Sequence, residues 1–207
     1  MEKLIEGIHQ FQSGVFGQQR ELFQRLSAGQ APEAMFITCS DSRVVPSLMM
    51  QSGPGDLFML RNAGNLVPPY GPMYGAEASA IEYAVEVLQV KDIIVCGHTH
   101  CGAMKAVLDP DSLARLPATR HWLVYAEATR RVMETHYHTL PETERLETCV
   151  EENVLVQVEN LRTHPAVLAG LSRGTLKLHA WVYDITCGEV LVFDAAAGQF
   201  VPIADVG

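Results

Sequence analysis

No apolar run in this 207-residue chain approaches the ~18 residues that would suggest a membrane span. The opening Met1-Glu2-Lys3-Leu4 lacks the basic stretch and apolar core of a secretory signal, so the expected location is the cytoplasm or a compartment within it. Basic residues are also few, 15 Lys and Arg against 24 Asp and Glu, and they form no basic cluster. A nucleic-acid surface needs clustered cations to meet phosphates, so that function class is excluded. Cysteines number five, an odd count that makes no disulfide framework, and no two have the spacing of a thioredoxin-like redox pair. In a reducing compartment such thiols are core residues, metal ligands or nucleophiles. Cys149, in a helical pattern, and Cys187, near a turn, are read as small apolar residues.

With 48% hydrophobic and 19% charged residues, the chain can bury one sizeable core, and a single domain spanning 1–207 is expected. Residues 1–28 carry two short amphipathic helical patterns, Leu4, Ile5, Ile8 and Phe11, then Leu22, Phe23 and Leu26, with a break expected near Gly14 and Gly17. Such arms either cover their own core or wrap a neighbouring subunit, and periodicity does not choose. Strands are expected over 34–38, 56–60 and 93–97. Helices are expected over 75–88, 103–108, 121–137 and from Glu142 to Leu161, where Pro165 should stop the chain. Two final strands, 176–183 and 189–194, joined by a turn at Thr186-Cys187-Gly188, read as a hairpin. The expected fold is therefore α/β, a mostly parallel central β-sheet with an antiparallel edge strand, flanked by helices.

Chemistry gathers at two strand ends. Ile93-Ile94-Val95-Cys96-Gly97-His98-Thr99-His100-Cys101-Gly102 ends an apolar run in soft ligands, and Ala34 to Thr38 ends at Cys39-Ser40-Asp41-Ser42-Arg43. Functional groups of open α/β sheets collect beyond the carboxyl ends of strands, so the repetition points to one site. Cys39, His98 and Cys101 supply three zinc ligands, and Asp41 can fill or vacate the fourth position. Arg43 is placed to hold that carboxylate in a bidentate pair, which makes Asp41 a gate. Alternation would put Cys96, His98 and His100 on one face, so the turn between Gly97 and Gly102 decides which reach the metal. Each residue has an ordinary reading, as core thiol, structural histidine, cap or surface pair. A cysteine-phosphatase cradle does not fit, because only three residues separate Cys39 from Arg43.

Together, Cys39-Ser40-Asp41-Ser42-Arg43, Arg61-Asn62-Ala63-Gly64-Asn65 and Gly97-His98-Thr99-His100-Cys101-Gly102 resemble the β-class carbonic anhydrases in order and spacing. Within that family, Leu4-Ile5-Glu6-Gly7 and Cys101-Gly102-Ala103-Met104-Lys105 look most like the cyanobacterial carboxysomal branch, whose longer C-terminal extension is absent from 1–207. The resemblance implies Zn2+ held by Cys39, His98 and Cys101, a catalytic Asp41–Arg43 dyad, and no ligand role for His100. It also implies that Gln30 reaches substrate from the neighbouring subunit, that Phe58, Ala63 and Tyr83 wall an apolar CO2 pocket, and that Gly102 places a backbone amide beside the metal. Phe36 stands where a bicarbonate-regulated branch has tryptophan, although Arg61 and Tyr183 lie near the rest of that pocket. An open site with Asp41 turned to Arg43 is therefore expected.

The implied activity is reversible hydration of CO2 to bicarbonate and a proton by zinc-bound hydroxide. The implied partners are CO2 and bicarbonate, a second copy of the chain in a homodimer or larger dimer-based oligomer on which the N-terminal arms pack, and carboxysome shell or scaffold proteins. No nucleic acid and no membrane are expected. The alternatives are a zinc hydrolase of carbon disulfide or carbonyl sulfide, and a non-catalytic structural or shell-binding zinc protein.

Overall fold

The computed structural model describes residues 1–71 and 75–205. They form two compact units, Met1–Ala31 and Pro32–Gly207. The first is mostly helical up to Ser27: α1 Glu2–Gln10 passes through a wider π turn, Phe11–Val15, into α2 Phe16–Gln18, and α3 Arg20–Ser27 follows. The break falls at Gln19, where φ and ψ are −109° and 22°, rather than at Gly14 or Gly17. An isolated glycine weakens a helix without having to end it. Phe16 and Phe23 stack at 5.0 Å, and Phe11 meets Phe23 edge-on at 5.8 Å. Leu4, Ile5 and Ile8 remain exposed.

The second unit is a six-stranded sheet in the order β2-β1-β3-β4-β5-β6. Its strands are β1 Ala34–Cys39, β2 Leu57–Asn62, β3 Asp92–His98, β4 Lys177–Tyr183, β5 Val190–Asp194 and β6 Gln199–Pro202. The first four run parallel, while β5 and β6 pair antiparallel beyond β4. The antiparallel edge thus has two strands rather than one; β6 is short and ends at Pro202, which suits an edge where no ladder donor is needed. β1 and β3 are buried along nearly their whole length, which explains why their sequences are continuous apolar runs rather than alternations. Met35, Ile37, Ile93 and Val95 face the larger core, and Ala34, Phe36, Ile94 and Cys96 face a smaller one with Met49, Met50, Leu57, Trp181 and Tyr183.

The helices of this unit are α4 Pro46–Met49, α5 Ala76–Glu82 continuing as a π turn to Val87, α6 Gly102–Leu108, α7 Pro117–Trp122, α8 Glu127–His136, α9 Glu142–Arg162 and α10 Pro165–Ser172. Pro165 therefore begins a helix as well as following one. Its fixed φ and missing N–H suit the first turn, and His164 supplies the extended residue before it. α9 packs against β3 through Val150 and Val154, and Gly97 makes that approach possible. A Cβ there would lie 2.7 Å from Val154 Cγ2 and 2.9 Å from Val150 Cγ1. No helix among the described residues is long and apolar enough to cross a membrane.

Candidate metal centre

Sequence order and sheet order diverge between β1 and β3. The chain goes from β1 outward to β2, then returns to the other side of β1 for β3. Such a switch leaves a crevice beyond the carboxyl ends of the two strands, where ligands of open α/β sheets bind. Cys39 is the last residue of β1 and His98 the last of β3. By alternation the two belong to opposite faces, Cys39 with Ile37 and His98 with Cys96. They meet because the strand ends lie at the rim, where both faces open onto the crevice. Cys101 follows a turn through His100, whose φ of 57° reverses the chain, and caps α6.

The Sγ atoms of Cys39 and Cys101 and a ring nitrogen of His98 all lie within 4.8 Å of one another, and all three residues are buried. His98 Nδ1 is 2.9 Å from the Thr99 carbonyl, which can only accept, so Nδ1 carries the proton and Nε2 is a bare acceptor. Nε2 is buried and has no hydrogen-bond partner among the described residues. A bare imidazole nitrogen facing two sulfurs is costly unless something electrophilic sits between them. The donor set, two sulfurs and one nitrogen with room for a fourth group, fits a soft divalent metal ion.

The hydrogen bond from Cys101, with the Gly64 N–H adding to it, pulls the Cys39 thiol well below its usual value against the opposing effect of burial. Cys101 moves the other way, pushed up by its role as donor to Cys39 and by burial, although the N–H groups of Met104 and Ala103 favour its thiolate. Cys96 is not part of the site: it is fully buried, with burial raising its thiol to about 12. His100 is exposed, and only its carbonyl takes part, accepting from Arg43 Nη2 at 3.3 Å.

Asp41 and Arg43 form a forked pair, Nε to Oδ1 at 2.9 Å and Nη2 to Oδ2 at 2.7 Å, and the Arg43 backbone N–H adds a third bond to Oδ1 at 3.0 Å. Arg43's hydrogen bond, more than any other contact, holds the Asp41 carboxyl well below the usual carboxylate range. Asp41 Oδ2 nevertheless stands only 3.9 Å from His98 Nε2, beside the position that the three ligands define.

The other expected residues are more dispersed. Phe58 and Tyr83 lie together, ring centroids 6.1 Å apart, with Tyr83 44% exposed. Ala63 lines a shallow cleft with Asn62, Glu77, Ala118, Thr119 and Trp122, whereas Tyr83 lines another with Ser79, Glu82 and Pro165. Gly102 is the exposed first residue of α6. Gln30 is exposed in the N-terminal unit.

Sequence reasoning gave Arg61 no part in building this site, yet its guanidinium spans the carbonyls of Cys39 at 2.9 Å, Asp41 at 2.9 Å and Val44 at 2.9 Å. It thereby fixes the loop that carries the Asp41–Arg43 pair. Thr99 was missed too: its hydroxyl donates to Asp184 and accepts from the Ile185 N–H, anchoring the residue whose carbonyl orients His98. Arg61 directly follows a strand-like apolar run, and that position was the available signal.

The family model described as Carbonic anhydrase matches residues 34–190. A carbonic anhydrase of Synechocystis sp. is 50% identical over 202 residues, covering 97% of this chain and 74% of that protein. A solved structure of the β-carbonic anhydrase CcaA superposes with a TM-score of 0.95 at 50% identity, covering 98% of both chains. A structure from work on two tetrameric β-carbonic anhydrases of the filamentous ascomycete Sordaria macrospora gives a TM-score of 0.84 at 28% identity, covering 97% of this chain and 98% of that one.

Proposed function

This chain belongs to the β-carbonic anhydrase family, and from that premise we propose that it hydrates CO2 reversibly to bicarbonate and a proton at a zinc centre held by Cys39, His98 and Cys101. The observation that carries this reading is the meeting of three buried donor atoms within 4.8 Å while the adjacent carboxylate is held aside by Arg43. Zinc would supply Lewis acidity, bringing the pKa of a bound water from about 15.7 towards about 7. The chain's own residues supply the rest.

Asp41 stays ionised across the working pH range because Arg43 stabilises its charged form. Its Oδ2 can accept a hydrogen bond from the nucleophilic water, turning a lone pair of that water towards CO2. Arg43 has a second duty: with both oxygens of Asp41 engaged, the carboxylate does not occupy the fourth ligand position. Arg61 holds the loop in the shape that lets this pair form. Phe58, Ala63 and Tyr83 offer apolar surface to an uncharged gas, Gly102 a backbone amide near the metal, and Gln30 of the partner subunit a polar contact that orients substrate.

That last role requires an oligomer. The tetrameric relatives from Sordaria macrospora support a dimer-based assembly, as do the exposed Leu4, Ile5 and Ile8 of α1. The likeness to the Synechocystis carbonic anhydrase is consistent with a cytoplasmic enzyme; placement in a carboxysome, with shell or scaffold proteins as partners, belongs to the proposal and rests on the sequence resemblance alone. The test of the activity is stopped-flow CO2 hydration with zinc content measured on the same samples. One zinc per chain with activity that disappears on chelation and returns with zinc is the expected result. Full activity in Cys101→Ser, or zinc bound with no hydration at alkaline pH, would overturn the reading.

A further inference from the structure

The Gly64 N–H points at Cys39 Sγ at 3.5 Å, and the carbonyls on both sides of it are held from elsewhere in the fold. Trp122 Nε1 donates to the Ala63 carbonyl at 2.8 Å, and Asn153 Nδ2 donates to the Gly64 carbonyl at 3.0 Å. The Ala63 carbonyl and the Gly64 N–H belong to one planar trans peptide and point in opposite directions. Fixing the carbonyl from the Trp122 side therefore aims the N–H at the sulfur. Gly64 itself has φ of +79°, and a Cβ there would press on Ala103 Cβ at 3.0 Å and Met104 Cε at 3.1 Å, so the loop lies tight against α6. Residues of α6, α7 and α9 thus converge on one peptide in the turn after β2.

Asn153 is committed to this contact. It is 1% exposed, and its Oδ1 accepts from Gln157 Nε2 at 3.0 Å and Thr129 Oγ1 at 3.3 Å, both of them fully buried. With two donors on its oxygen, the amide must present its nitrogen to the loop. Gln157 Oε1 in turn accepts from the Val67 N–H at 2.9 Å. Asn153 and Gln157 sit one turn apart on the face of α9 that also carries Val150, Val154 and Val158. Valine or leucine would pack there without the desolvation cost of a buried amide. Capture of the 63–67 loop is what the amides do that apolar residues could not.

We propose that Asn153, together with Trp122, is a positioning residue that aims the Gly64 N–H at Cys39 Sγ and so sets how strongly that sulfur donates to the metal. The proposal rests on the reading of Cys39 as a ligand. An N–H···S bond draws electron density from the sulfur; without it the sulfur donates more, and a water on the same metal becomes less acidic.

The test uses the full-length protein loaded with Co2+, whose thiolate-to-metal charge-transfer band reports sulfur donation. Asn153→Leu and Trp122→Phe should both move the band to longer wavelength, and both should carry the midpoint of the pH–rate profile to higher pH with kcat lowered about 10-fold. Asn160→Leu is the control: it removes an amide of α9 that holds the Val67 carbonyl and Gln157 Oε1 but makes no bond to the Ala63–Gly64 peptide, while Gln157 Nε2 still donates to Asn153, so its band should stay at the wild-type position. A band unmoved in both variants overturns the proposal, as does an equal shift in Asn160→Leu. Should Asn153→Leu not fold, Trp122→Phe decides, since Trp122 lies half-buried on a short helix. A wild-type charge-transfer band that Cys39→Ser leaves at full intensity would instead sink the ligand assignment itself.

Discussion

Replacing Gly97 with alanine tests how the sheet and α9 together place His98. The added Cβ would stand 2.7 Å from Val154 Cγ2 and 2.9 Å from Val150 Cγ1, against a favourable carbon separation of about 3.5 Å or more. Both valines are buried, and β-branched side chains on a helix have essentially one χ1 choice, so neither can rotate aside. α9 must then retreat by roughly 1 Å, given that separation. Overpacking of this kind costs about 1–3 kcal/mol, and for a chain of this size each kcal/mol lowers Tm by about 2–4 °C. Metal-free Gly97→Ala should accordingly melt roughly 2–12 °C below the metal-free wild type, measured at matched protein concentration. Val154→Ala deletes the nearer methyl and alone should cost about 1.6 kcal/mol or more through lost burial. In the double variant the two costs should fall short of additivity by about 1 kcal/mol, because the second change makes room for the first. Additive costs, or a Gly97→Ala chain melting within about 1 °C of wild type, would refute the claim that this contact is tight. The displacement should also weaken zinc in a chelator competition, since His98 is the next residue.

Asp41→Asn keeps the shape of the side chain and removes its charge; zinc content should hold at the wild-type level while CO2 hydration falls about 100-fold or more, and undiminished hydration would remove Asp41 from the mechanism. Because Arg43 depresses the folded-state carboxyl of Asp41, their pair adds stability above the ordinary carboxylate pKa of about 3.9 and loses it only as pH falls through the lower folded value. A titration of the Asp41 carboxyl carbon should accordingly show no midpoint between about pH 4 and pH 8, and a midpoint there would mean the fork is not formed in solution. Hydration should rise from neutral to alkaline pH, since two thiolate ligands leave a water less acidic than histidines would; a flat profile would contradict the ligand set. Arg61→Ala deprives the carbonyls of Cys39, Asp41 and Val44 of a shared donor and should loosen zinc by about 10-fold in a chelator competition; wild-type affinity would show that the loop keeps its shape unaided.

Much of the site was legible because its parts are local. Cys39 and His98 each end a continuous apolar run, and such a run implies a strand whose end can be located to a residue or two. Asp41 and Arg43 are two positions apart, so their pairing needed only a turn. The parallel strands were legible for the same reason, apolar β-branched runs bounded by polar turns. What escaped the sequence depends on contacts across the chain. Asn153 meets Gly64 from 89 positions away, and nothing in the helical pattern of α9 says what a polar residue on its apolar face would bind. Arg61 fell directly after a strand-like run, and nothing local says that its guanidinium folds back onto three carbonyls. Pro165 reads equally well as an end or a beginning, and only the chain after it settles which. β6 was missed because four residues ending in proline carry too little pattern.

The position of β2 outside β1 has a consequence for how the protein acquires its metal. Thr38 and Cys96 are joined by a side-chain hydrogen bond across 58 positions of sequence, and the chain between them must leave, build another strand on the far side and return. The ligand pocket therefore cannot exist in any local fragment; it closes only when the long loop has been drawn in and the central parallel pairing is complete, a slow type of contact to form. Metal capture at such a site would be an end-point event. An ion held there would not nucleate the chain but lock it afterwards, adding its binding energy to the native state alone, so that metal supply should govern how long a finished molecule lasts rather than how fast one is made.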